Sequence, residues 1–134
     1  MRTEKKLKLK QLRHWRLRKR VRGTSERPRM SVRFTNENIH VQFIDDAAGK
    51  TLAATSTVSK GEAKNFSANV NGAKAVGKLA AEAALAKGIK EVVFDRGGAR
   101  YHWSESKGKD GKPAKTLGKL ATLAEAAREA GLKF

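Results

Sequence analysis

A chain of 134 residues has room for one domain and an attached arm, and is long enough to bury a proper core. It has no cysteine, which excludes a disulfide framework and thiol chemistry and fits a reducing cytosol, and no apolar run approaches the roughly 18 residues of a membrane span. Thirty Lys and Arg against 13 Asp and Glu give a formal net charge of +17 at pH 7, a field that a soluble enzyme does not need and a binder of polyanions does.

The charge is front-loaded. Fourteen cations against two Glu give residues 1–33 a net +12, whereas sixteen against eleven give residues 34–134 only +5. The N-terminus therefore lacks the apolar core of a signal peptide. Lys5 to Arg22, KKLKLKQLRHWRLRKRVR, is free of Pro and Gly and rich in helix formers. Leu9, Leu12 and Trp15 recur at spacing three and give a narrow apolar side, and Gly23 closes the run. Like charges on every turn repel, so the free arm is expected to be frayed helix or disordered and to order against a polyanion. Trp15 can stack on a base or dock on the domain, and the sequence leaves both open.

Arg27-Pro28-Arg29 is a rigid extended lead-in that cannot continue a helix. Met30 to Phe34 alternates, with Met30, Val32 and Phe34 on one face and Ser31 and Arg33 on the other. After a turn at residues 35–38, Ile39 to Ile44 alternates again, with His40 and Gln42 facing outward. A second turn, Asp45 to Lys50, leads to a third strand from Thr51 to Thr57. Three strands on short connections predict an antiparallel meander. Its outer face carries Ser31, Arg33, His40, Gln42 and Thr55, donors and a cation without a carboxylate, which suits phosphate and 2′-hydroxyl contacts and suits solvent as well.

Ser59 to Asn71 reads as a polar loop. Gly72 to Lys87 reads as an amphipathic helix with Asn71 as N-cap, Gly77 allowing close packing on the sheet, and Gly88 as C-cap. Val92 to Phe94 is a short apolar run, expected as a central strand buried on both faces and parallel to the first strand. It ends at Asp95-Arg96-Gly97-Gly98, where two glycines mark a sharp turn or a close approach and make a candidate site. Arg96 is expected to pair with Asp95 or with RNA. Ser104 to Lys115 has the composition of a mobile surface loop, and Leu117 to Ala130 reads as a second amphipathic helix. Gly131 ends it, with Leu132 and Phe134 free to fold back on the core. The fold class expected is α/β: a mixed sheet with an N-terminal meander, a crossover helix, a central strand and a C-terminal helix, plus the basic arm.

RPRMSV, IHVQFIDDAAGKTLAATST, AVGKLAAEAALAKGIKEVVFDRGGARYH and LAEAAREAGLKF, in that order, resemble the bacterial ribosomal protein family numbered eighteen of the large subunit. The resemblance covers residues 27–102 and 118–134. It implies a basic arm (residues 1–24) and a single α/β domain (residues 25–134) that bind 5S rRNA in the central protuberance of the cytoplasmic ribosome. It also implies large-subunit rRNA and neighbouring 5S-associated proteins as partners, no cofactor and no catalysis. Carried across, the RNA-binding residues of the arm are Lys8, Lys10, Arg13, Trp15, Arg16, Arg18, Lys19, Arg20 and Arg22. Those of the lead-in and strand face are Arg27, Arg29, Ser31, Arg33, His40 and Gln42. Thr55, Ser56 and Thr57 follow, then Arg96, Gly97, Gly98, Arg100, Tyr101 and His102 around the glycine turn.

Three departures stand out. Arg33-Phe34 reverses the family's usual aromatic-then-Arg order, and His40 stands where a Tyr is usual, so base stacking by this face is weakened while phosphate contact is not. Trp103 to Leu117 is inserted where the family passes almost directly from Tyr-His to the last helix. The insertion reads as a solvated loop, with an additional rRNA or neighbour contact as the alternative.

Two rival functions fit parts of the chain. A strand meander, helix and further strand also build ribonuclease-H-like sheets, but a metal-dependent nuclease needs convergent carboxylates. Asp45 and Asp46 sit in a hairpin turn, where Asp is favoured for turn chemistry alone. A generic DNA-compacting or membrane-active cationic protein would explain the arm but not the folded domain behind it. His14, His40 and His102 have no metal-ligand spacing, and Gly97-Gly98 lacks the Gly-Lys-Ser/Thr of a phosphate loop.

Overall fold

The computed structural model describes residues 2–58 and 66–134. Helix α1 spans Thr3–Arg18, and strands β1 Arg29–Phe34, β2 Ile39–Asp45 and β3 Lys50–Ser56 follow. Then come helix α2 Val70–Ala86, strand β4 Val93–Asp95, the strand pair β5 Trp103–Lys107 and β6 Pro113–Leu117, and helix α3 Lys119–Glu129.

The alternating segments pair as the meander they predict. β1 runs antiparallel to β2 from Arg29↔Ile44 to Phe34↔Ile39, and β2 runs antiparallel to β3. α2 then crosses over and returns the chain to β4, which lies parallel to β1. The sheet order is β3-β2-β1-β4, the mixed sheet expected. Met30, Val32, Ile39, Val41 and Phe43 make one face of it fully buried, against Val76 and Ala80 of α2 and Leu120 and Leu123 of α3. Among the described residues no helix layer packs against the other face, and α1 buries none of its residues.

Five sequence expectations are corrected. β4 is an edge strand rather than a central one. Its apolar character comes from the chain terminus: Phe94 stacks on Phe134 with ring centroids 5.1 Å apart, and the Val92 amide donates to the Lys133 carbonyl at 3.0 Å. The 104–115 stretch is no irregular loop but the β5–β6 hairpin, unforeseen because its strands, WSESK and PAKTL, are mostly polar and exposed and show no alternation toward a core. The cap of α2 is Asn69, whose Oδ1 accepts from the Gly72 amide at 2.7 Å, so Asn71 lies inside the helix. The remainder of the expected polar loop, residues 59–65, lies outside the described residues. Gly23 does not close α1, which ends at Arg18; it is buried against the sheet, where a Cβ would sit 2.3 Å from both the Arg29 nitrogen and the Ile44 carbonyl oxygen.

The fifth correction concerns Gly77, which packs on α3 and not on the sheet: a Cβ there would meet the Leu123 carbonyl oxygen at 2.6 Å and the Ala126 Cβ at 3.0 Å. Gly77→Ala gains roughly 1 kcal/mol in helix propensity. Forcing α2 and α3 apart costs about 1–3 kcal/mol. We expect the variant to be no more stable than the parent and Gly77→Val to be clearly less stable, by chemical denaturation.

Candidate nucleic-acid interface

The open face of the sheet follows from register, because cross-strand partners share a face. Ser31 pairs with Gln42, Arg33 with His40, and His40 in turn with Ser56. Thr55 does not belong here. It pairs with buried Val41 and so faces the helix side, because a bulge between Phe43 and Ile44 shifts the parity of β3 after Thr51. Ser56 takes its place, with Oγ 3.0 Å from His40 Nδ1. Thr57 is 3% exposed; its hydroxyl donates to Asn38 Oδ1 at 2.9 Å and accepts from the Ile39 amide at 3.1 Å, so it ties the sheet together.

Arg29 holds the rim of this face from inside. Its Nε and Nη2 donate to the two Asp46 oxygens at 2.9 and 3.0 Å, and its Nη1 donates to Asp95 Oδ2 at 2.9 Å. Asp46 Oδ2 also accepts from the Gly23 amide at 2.8 Å, and the Gly23 carbonyl accepts from the Asp46 amide at 3.1 Å. One guanidinium thus joins β1, the β2–β3 turn, the end of β4 and the root of the arm. The Arg29 hydrogen bonds hold the Asp46 carboxyl below the ordinary carboxylate range, with Arg18 adding a smaller push the same way. The same bonds raise Arg29 above its already high value. Arg29 is therefore committed inside the fold, not presented to a ligand, and it is Arg29 rather than Arg96 that pairs with Asp95.

These pairings bear on the nuclease alternative. Asp46 and Asp95 share a cation, and Asp45 Oδ1 accepts from the Ala47 and Ala48 amides, the turn chemistry that its sequence context suggests. Among the described residues no three His, Asp or Glu side chains come together as metal ligands. Among them, too, no helix is long and apolar enough to cross a membrane.

Helix α1 overhangs the open face and brings the expected basic residues to it. Arg18 closes a cleft of ≈ 540 Å³ lined by Ser31, Arg33, His40 and Gln42. Lys10 and His14 join Arg18 in a neighbouring cleft lined by Arg33, Gly97 and Gly98. On the opposite flank of the helix, Lys6, Lys10 and Arg13 converge with Arg96 and Arg100. The glycine turn makes this approach possible. Gly97 and Gly98 have φ of 59° and 82°, and a Cβ at Gly98 would stand 3.3 Å from His14 Nε2. Asp95 fastens the turn by accepting from the Gly97 amide at 3.0 Å.

Lys8, Arg16, Lys19, Arg20, Arg22 and Arg27 are all exposed along the arm and lead-in, away from these clefts or at their margins. Trp15 is 56% exposed, so docking on the domain does not account for it. Tyr101 turns to the helix side, donating to Glu125 at 3.2 Å and accepting from Arg128 at 3.3 Å, while His102 is exposed beside Gly118. Sequence reasoning missed Lys6, one more Lys in a basic run, and Asp46, whose partner lies 17 residues away with no periodicity to announce it. The assembled surface is a concave, cationic face with Asp46 and Asp95 both tied to the Arg29 guanidinium at its rim, suited to a phosphate backbone.

Comparison with known proteins agrees with this chemistry. A profile of the family described as ribosomal L18 of archaea, bacteria, mitochondria and chloroplast matches residues 4–105. A protein of Lactobacillus delbrueckii subsp. bulgaricus, named large ribosomal subunit protein uL18, is 50% identical over 129 residues, covering 96% of this chain and 95% of its own. Proteins of the same name from Clostridium botulinum and Synechococcus sp. are each 49% identical. They cover 91% and 92% of this chain and 89% and 92% of their own lengths, respectively.

Proposed function

This chain belongs to the ribosomal L18 family, and from that premise we propose that it binds 5S rRNA and helps to attach it to the large-subunit rRNA. Family membership makes it a structural constituent of the bacterial large ribosomal subunit, associated with rRNA and other ribosomal proteins, and not an enzyme. The observation that carries the finer reading is the cationic concavity between α1 and the open sheet face. In it Lys10, Arg18 and Arg33 neutralise phosphates and release counterions. Ser31, Gln42, His40 and Ser56 offer hydrogen bonds to sugar and phosphate oxygens.

In this reading residues 1–24 are an RNA-binding arm and residues 25–134 the domain that fixes its register. Arg96, Arg100 and His102 extend the contact past the glycine turn. Arg29, Thr57 and Tyr101 shape the surface from behind.

The test is a gel-shift titration against 5S rRNA, with tRNA and duplex DNA of similar length as competitors, at two salt concentrations. Preference for 5S rRNA that survives competition, and falls by about tenfold or more when Arg33 and Arg96 are both replaced by Ala, supports the reading. Equal affinity for all three polyanions means a generic cationic protein and sinks it.

A further inference from the structure

The β5–β6 hairpin leaves the domain between Tyr101, tied to α3, and Gly118, which begins α3. Every residue of both strands is exposed except Leu117 at the base, so the hairpin covers no core. Five residues per strand carry its tip roughly 17 Å outward. A lone two-stranded hairpin is marginal in water, which makes a bound partner the natural source of its order. Register puts Trp103 and Leu117 at the base, Glu105 and Lys115 in the middle, and Lys107 and Pro113 at the tip of one face, and the reverse face carries only Ser, Ala and Thr. Trp103 is 52% exposed, with Lys115 Nζ 4.9 Å from its ring centroid. None of Lys107, Lys109, Lys112 and Lys115 joins an ion pair among the described residues. The matched family profile ends at residue 105, inside β5, so the hairpin's chemistry has to be read from this chain itself.

We propose that this hairpin is a second RNA-binding element, separate from the arm and the sheet face. Trp103 stacks an unpaired base, and Lys115, Lys107, Lys109 and Lys112 take the flanking phosphates. An exposed indole beside a cation is the recurring means of holding a single-stranded nucleotide without reading its sequence. Four Lys against Glu105 and Asp110 give the insertion the sign that a polyanion needs. On the one face with apolar residues, Glu105, Lys115 and Lys107 separate Trp103 and Leu117 from Pro113, so there is no continuous apolar stripe for a protein partner to bury. The inference rests on the reading that the chain works on rRNA.

The test uses large subunits from cells whose only copy of this protein carries a diazirine-bearing phenylalanine in place of Trp103 or, in a parallel strain, of Trp15. RNA crosslinked from position 103 is the expected result. RNA crosslinked from position 15 alone overturns the hairpin proposal and leaves the rRNA reading standing, whereas no RNA from either position overturns both. Crosslinking of position 103 to a protein overturns the proposal in favour of a protein-docking hairpin. A second measurement needs no label: the full chain with Lys107→Gln, Lys109→Gln, Lys112→Gln and Lys115→Gln. Its log–log salt slope for rRNA binding should fall by about three, at roughly 0.7–0.9 for each of the four phosphates no longer neutralised. An unchanged slope overturns the proposal.

Discussion

Arg29→Met is expected to lower the unfolding free energy by about 3–5 kcal/mol at neutral pH, the usual cost of removing one partner from a buried charge pair. The guanidinium is 7% exposed and its two carboxylates 29% and 14%, so water screens the pair little. Methionine fills the aliphatic path but leaves Asp46 and Asp95 facing each other and the Gly23 amide bonded to an uncompensated carboxylate. Urea denaturation checks the magnitude, and a loss under 1 kcal/mol would show the cluster to be ornamental. Adding Asp46→Asn and Asp95→Asn to Arg29→Met should recover much of the loss, because the stranded charges go with it.

The same cluster fixes the acid response. Asp46 has a folded-state value below its ordinary 3.8, so the unfolded chain binds the proton first. Its contribution is complete above the ordinary carboxyl value and disappears as pH falls through the depressed one. Arg29, raised further above its already high value by the same hydrogen bonds, stays charged throughout that range. Asp46→Asn should therefore flatten the acid limb of the stability–pH curve.

Removing residues 1–20 is expected to act on the opposite quantity. Ten of the thirty cations go, but α1 buries no residue and the Gly23–Asp46 pairing remains, so folding stability should change by under about 1 kcal/mol. Affinity for 5S rRNA should fall by about 100- to 1,000-fold near physiological salt. If half of the ten cations meet phosphates, the log–log salt slope should fall by about four. Isothermal titration across a salt series reads both. A truncated chain that binds as tightly as the parent would mean that the arm serves something other than RNA.

The elements that show their periodicity on the surface of the sequence were legible. Met30–Phe34 and Ile39–Ile44 alternate because one face meets the helices and the other does not, and the structure keeps every inward and outward assignment in both. The parallel return of β4 also followed, from the handedness rule for a helix that crosses over from the meander. Irregularity defeated the reading elsewhere. One bulge moved Thr55 to the wrong face, since a shift of one residue reverses every side chain beyond it. Val92–Phe94 looked doubly buried because its cover comes from Phe134, forty residues on, and no local pattern encodes that. Arg29 reads as a ligand cation through the family resemblance alone; only the fold brings Asp46 and Asp95 to it. The hairpin escaped because a strand pair with no core to face carries no hydrophobic signal to read.

The root of the arm has a kinetic meaning. Gly23 is pinned to the β2–β3 turn, and only Lys19 to Arg22 separate it from the end of α1, a tether of roughly 12 Å if flexible. On the proposed function, in which both surfaces bind RNA, an RNA captured first by either is presented to the other at a local concentration in the millimolar range. Two modest attachments then behave as a single slow-releasing one, since both must let go within the same short interval before the RNA escapes.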